Sequence, residues 1–212
     1  LRRSSAASDV YKRQVMVRRD AEAGDLDNAG TLLVRDDLDV SNTISNSGAL
    51  SVTGRGKVKA SAVANSGALS VGGKLDADTF TNSGVTRVTT RGKVKGNVAQ
   101  QAGTFSLHGE IDGNVQVSGG EFVGLGKIKG DFATSGNGAL ILNDGGRSGS
   151  LDIKGDAQLG GITHFNINSL SDFDTLVVDG DLDLGGTLNI TFDDGFDICL
   201  LYTSDAADDR LS

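Results

Sequence analysis

The 212-residue chain contains no proline and no tryptophan, one cysteine, one methionine and two tyrosines. A lone cysteine excludes an internal disulfide framework and a thiolate zinc cluster, so any stability has to come from packing. Both tyrosines (Tyr11, Tyr202) and the cysteine (Cys199) lie near the ends, which leaves eight phenylalanines as the aromatics of the body. Without Trp or Tyr there is no ready platform on which a sugar ring could stack. Basic residues are also few, 20 Lys and Arg against 28 Asp and Glu for a net charge of -8, which argues against a nucleic-acid binder. No run of eighteen apolar residues occurs, so no membrane-spanning helix is expected in the chain.

The ends differ from the middle. Residues 4–14, SSAASDVYKRQ, and 199–209, CLLYTSDAADD, can be back-translated so that one is the reverse complement of the other, and both resemble a translated sequencing adapter. Residues 1–14 and 199–212 are therefore expected to be adapter-derived, not native and disordered, and residues 15–198 to be a window of a longer gene.

What is abundant is glycine, 31 residues of it, and its spacing is regular. Gly30, Gly48, Gly67, Gly84, Gly103, Gly120 and Gly138 follow one another at intervals of 18, 19, 17, 19, 17 and 18. A second register runs through Gly56, Gly73, Gly92, Gly109 and Gly126, each opening a block of charge, apolar, charge and small residue. Two registers with one period mark a repeat protein. Within each repeat, short runs such as Leu69-Ser70-Val71 and Phe105-Ser106-Leu107 alternate apolar and polar residues, which is a strand signature. About three such runs per repeat, separated by Gly, Asn or Ser, predict an all-β fold: a parallel β-helix, or β-solenoid, of about 18 residues and three short strands per coil. Residues 15–29 read as an irregular lead-in, 30–142 as regular repeats, and 143–198 as less regular C-terminal coils.

Stacking places Leu50, Leu69, Phe105 and Phe122 in one interior column and Val58, Leu75, Val94, Ile111 and Ile128 in another. Asn46, Asn65 and Asn82, followed by Gln101, align two residues before the repeat glycines and predict a structural amide ladder at a corner. Asp39, Lys59, Asp76, Lys95, Asp112 and Lys129 occupy one outward position in six coils and alternate in sign, which predicts a structural charge ladder that opposes slippage by one rung. The companion column, Asp37, Lys57, Lys74, Lys93, Glu110 and Lys127, is mostly basic; a solvated face outweighs an acidic-glycan site as its reading.

No catalytic, cofactor or metal site emerges. His108 and His164 stand in different repeats with no cysteine partner, so zinc has no framework. Asp179-Gly180-Asp181 and Asp193-Asp194-Gly195 read as acidic turns, since neither fits a helix-flanked calcium loop or the calcium-binding nonapeptide. Carboxylate pairs are expected by chance in so acidic a chain, and no enzyme is predicted.

The repeats SNSGALSV (45–52), ANSGALSV (64–71) and TNSGVTRV (81–88), with FDTLVVDGDLDLGGTLNITF (173–192), resemble the passenger domains of autotransporters and related large bacterial surface proteins. That resemblance implies a right-handed parallel β-helix, export to the cell surface with outer-membrane anchoring, and a role as stalk or adhesin in adhesion, aggregation or biofilm. Its implied partners are a host, glycan or matrix surface; the acidic composition argues against nucleic acid, no membrane span is expected in this window, and open strand edges at both ends predict end-to-end association of the rod. The blocks GKVKG (92–96) and GKIKG (126–130) resemble bactofilins, which are cytoplasmic filament-forming β-helices. A β-helical polysaccharide lyase or hydrolase is the third reading.

Overall fold

In the computed structural model, which describes residues 14–143 and 148–192, every regular element is a β-strand. The strands wind into a parallel β-solenoid of about seven turns, spaced about 18 residues apart. Each turn has three faces. Face one is built from strands such as Ala49–Val52, Ala68–Val71, Val85–Val88, Thr104–Leu107 and Glu121–Gly124. Faces two and three are separate in the coil holding Asp37–Val40 and Thr43–Asn46, but in the middle coils they merge into the long bent strands Lys57–Asn65, Lys74–Asn82 and Lys93–Gln100. They separate again at Glu110–Asp112 and Val115–Val117.

The two-residue alternation of the sequence becomes alternation of burial. Strand Lys74–Asn82 buries Leu75, Ala77, Phe80 and Asn82 and turns Lys74, Asp78 and Thr79 to solvent. Parallel partners Ala49↔Ala68, Val85↔Thr104 and Thr104↔Glu121 keep offsets of 19, 19 and 17 residues, so inward positions fall into columns. Val58, Leu75, Val94, Ile111 and Ile128 form one fully buried column. The other runs Leu50, Leu69, Thr86, Phe105 and Phe122, with a buried threonine where an apolar residue would be expected. Phe80, Phe105, Phe122 and Phe132 stack along the axis with ring centroids 5.8, 5.3 and 5.3 Å apart. Burying each of these side chains contributes roughly 1.5–3 kcal/mol before entropy is set against it.

The repeat glycines sit where coils come closest. A Cβ on Gly67 would lie well inside contact distance of the Gly48 carbonyl oxygen, and one on Gly84 would meet Gly67 in the same way. Gly103 and Gly120 add backbone angles φ of 68° and 69°, which residues other than glycine rarely adopt.

Two boundaries read from the sequence need correction. The expected irregular lead-in, residues 15–29, is an ordinary coil: strands Gln14–Val17, Ala21–Ala23 and Leu26–Asn28 pair in parallel with Thr31–Val34, Asp37–Val40 and Thr43–Asn46. Gln14, expected to be disordered as part of the adapter-derived end, is paired with Thr31. The lead-in lacks the Gly marker that defines later repeats, although its apolar spacing is the same. The loosened region after residue 142 retains the solenoid but widens it, with offsets of 23 and 25 residues at Ala139↔Ile162 and Ile162↔Thr187. Both expansions fall at one corner, between faces one and two. The second is an antiparallel hairpin in which Ile162–Ser169 turns back to Asp172–Phe173. The buried Asp174 carboxylate ties the two together by accepting bonds from the Gly149 and Asn166 amides at 2.8 and 2.7 Å, and Ser148 donates to Asp172 beside it. The non-native assignment of residues 1–13 and 199–212 lies outside the described residues.

Candidate functional site

Three arrays of polar side chains run along the solenoid axis. The first is inside it. Asn28 donates its side-chain amide to Asn46 Oδ1 at 2.6 Å, Asn46 to Asn65 at 2.6 Å, Asn65 to Asn82 at 2.7 Å, and Asn82 to Gln100 Oε1 at 2.7 Å. The last four residues are fully buried. Every bond has the same sense, and the backbone fixes it: each Asn nitrogen from Asn46 to Asn82 also donates to the carbonyl two residues on, at Gly48, Gly67 and Gly84. A flipped amide would press oxygen against those carbonyls. Thr86 joins the network by donating to Asn82 Oδ1 at 2.8 Å, which accounts for its place in an apolar column.

The sequence reading put Gln101 in this ladder; the residue there is Gln100. Asn82 pairs with Gln100 in strand register, and Gln101 is exposed. Counting two residues back from Gly103 misleads because this corner carries one extra residue, Ala102, after the amide. The longer Gln side chain closes the ladder by donating to the Ala102 and Gly103 carbonyls at 2.8 and 3.1 Å.

The second array was missed in the sequence. Asn97, Asn114, Asp131, Asp156 and Asp181 stack at the corner between faces two and three, each side-chain oxygen accepting the backbone N–H of the next residue in the series at 2.9–3.1 Å. Its signal was present: each follows a glycine, as Gly96-Asn97, Gly113-Asn114, Gly130-Asp131, Gly155-Asp156 and Gly180-Asp181.

The third array is the charge on face two. Asp39, Lys59, Asp76, Lys95 and Asp112 are register partners in sequence, and the Lys129 amide continues the series by donating to the Ile111 carbonyl. Within that column Asp76–Lys95 and Asp112–Lys129 approach to 3.8 and 3.9 Å. Shorter contacts reach the companion column: Lys129 meets Glu110 at 2.8 Å, Lys57 meets Asp37 and Lys93 meets Glu110 at 3.5 Å, and Lys127 meets Asp152 at 3.7 Å. The charges therefore form a two-column mesh rather than a single file. Lys129 holds the Glu110 carboxyl below its usual range, and Glu110 raises Lys129 in return. Alternation ends past Lys129, where the next rung presents Lys154, held at 3.0 Å by both Asp152 and Asp179. The stripe that looked cationic in sequence is thus neutralised by its own neighbours.

All lysines among the described residues lie on face two. Face three, from Thr43 to Gln116, presents mainly hydroxyls, amides and alanines to solvent, with Asp78 at its border with face two and Asp27 and Asp131 in the coils on either side. Two shallow troughs of about 350 and 340 Å³ lie along it and share Thr81. Of the other residues singled out in sequence, His108 sits at a corner and His164 on a face-one strand two rungs or more away, paired in register with Ile141 and Asn189. Asp179 faces Lys154, and Asp181 belongs to the corner series. Asp193-Asp194-Gly195 lies outside the described residues. No group of three or more metal-ligating side chains converges among the described residues.

Fold and arrays together define a parallel β-solenoid repeat protein with an amide-laddered core. No protein family, curated protein or solved structure matches the chain.

Proposed function

We propose that the chain is a segment of an exported bacterial surface protein that acts as a structural stalk or adhesin, anchored at the outer membrane through a region beyond this window. The observation that carries this reading is the five-amide chain threaded through successive parallel coils. Each coil is bonded to the next by backbone and by side chain, so the rungs resist sliding and splaying, and a rod of seven turns spans roughly 35 Å at about 4.8 Å per rung. Stiffness combined with a repeated outer surface suits holding a ligand-binding region away from a cell and offering many equivalent contacts to a host, glycan or matrix surface.

The reading is tested by fusing the full chain between a bacterial export signal and an outer-membrane β-barrel, with an epitope tag at the far end. The expected result is a tag accessible to antibody on intact cells, a protease-resistant rod, and increased cell adhesion or settling. Filaments seen by electron microscopy when the chain is made without an export signal, together with no surface tag in the fusion, would replace it with the cytoplasmic filament reading. Release of reducing ends from a polysaccharide would replace it with an enzyme.

A further inference from the structure

We infer that face three is a binding surface for an uncharged, hydroxyl-rich polymer, a neutral glycan lying along the solenoid axis. The inference holds wherever the chain resides. The two troughs meet at Thr81 and run across successive rungs, so their occupant is long and extended rather than compact. Thr79, Thr81, Asn97, Asn114 and Gln116 supply hydroxyls and amides on three consecutive rungs at a spacing of about 4.8 Å, comparable to the length of one sugar unit. Two of these donors are preorganised: Asn97 Oδ1 accepts the Asn114 amide at 3.1 Å and Asn114 Oδ1 accepts the Asp131 amide at 2.9 Å, which sets both side chains and presents their Nδ2 groups in line. Holding donors in place before binding lowers the ordering cost of the complex.

Other occupants fit less well. A peptide strand would seek backbone groups, and those of face three are consumed by the neighbouring coils in parallel pairing. An acidic polymer meets no lysine here and meets a carboxylate in each trough, Asp131 in one and Asp27 in the other. A second copy of the same concave face would leave the troughs unfilled. The floor, Ala99 with Ala133 two rungs on, is low enough for the apolar faces of sugar rings, which compensates in part for the lack of aromatics.

The test is affinity electrophoresis of the full chain in gels containing xyloglucan, a soluble β-1,3-glucan, dextran or polygalacturonate. Retardation by at least one of the three neutral polymers is expected, with apparent affinity falling on the order of tenfold or more in Ala99→Lys and in Thr81→Lys. Both substitutions are at outward positions, so unchanged melting temperatures separate loss of the surface from loss of the fold. Lys93→Ala on face two is expected to bind as the parent does. Absence of retardation by every neutral polymer overturns the inference, as does retardation that Ala99→Lys leaves intact. Retardation by polygalacturonate alone, abolished by Lys93→Ala, would move the site to face two. A doubled mass in sedimentation without glycan, reversed by Ala99→Lys, would make the occupant a second copy.

Discussion

Asn82 donates its side-chain amide to Gln100 Oε1 at 2.7 Å, across a rung where the three preceding donors all reach asparagine. Because both groups are buried, the bond matters less for its own strength than for what its loss would strand. Asn65→Ala removes the side-chain acceptor of Asn46 and one of the two donors to Asn82 Oδ1, and is expected to destabilise by about 2–4 kcal/mol in urea unfolding. Gln100→Ala should cost about 2 kcal/mol, and Gln101→Ala less than about 0.5 kcal/mol. Equal effects at positions 100 and 101 would contradict the register.

Val94 is buried between Leu75 and Ile111. Val94→Asp places a carboxylate there with no partner, and a loss exceeding about 4 kcal/mol is expected, enough to abolish the cooperative urea transition. A variant that melts like the parent would show that this column is not interior.

Gly67→Ala tests the close corners. The added methyl meets the Gly48 carbonyl oxygen, so two rungs must part or the turn must move. A loss of about 1–3 kcal/mol is expected, whereas Ala68→Ser, one residue along and exposed, should change the melting temperature little.

Glu110 gives a pH dependence with a definite sign. Its carboxyl is lowered chiefly by the hydrogen bond from Lys129; burial opposes that as the next largest effect, and the charges of Lys129 and Lys93 with a weaker Lys93 hydrogen bond add to the lowering. A carboxyl lowered in the folded state stabilises above its unfolded pKa, and that contribution fades as pH falls through the folded value. The parent should therefore melt above Glu110→Gln near pH 6, with the difference closing as the pH falls below about 4.5. Because the group is part-exposed and its lysine partners are solvated, the gap is small and should shrink further in high salt.

End-to-end association should depend on salt. In the last described coil Leu182, Leu184, Leu188 and Ile190 are 48, 65, 53 and 47 % exposed, and at the other end so is Val15 at 55 %. Head-to-tail stacking would cover them, but it aligns Glu22 with Asp179, Asp25 with Asp181, and Asp27 with Asp183, three like-charged pairs in three columns. Sedimentation velocity should show monomer at low ionic strength and end-to-end oligomers near 1 M salt, where the screening length falls to about 3 Å. Strict monomer under both conditions would mean that the apolar ends are covered.

The period, the three-run coil and both interior columns were legible because each rests on local alternation combined with glycine spacing. Thr86 was not, since a hydroxyl in a β-branched position looks outward until its bond to Asn82 is seen. Gln100 was hidden by a one-residue bulge, and register across a bulge is set by the neighbouring strand rather than by counting. The Asn97–Asp181 corner series was written plainly as Gly-Asn and Gly-Asp pairs, yet its amide bonds join residues 17 or 25 apart and have no local signature. The mesh on face two could be anticipated by sign but not by contact, because lysine reaches diagonally as readily as straight across.

The gathering of lysines on one side has a practical consequence. Among the described residues every lysine amine lies on face two, so attaching the rod to a bead, a sensor chip or a fluorophore through those lysines holds it by face two and leaves the Thr81–Gln116 surface unmodified.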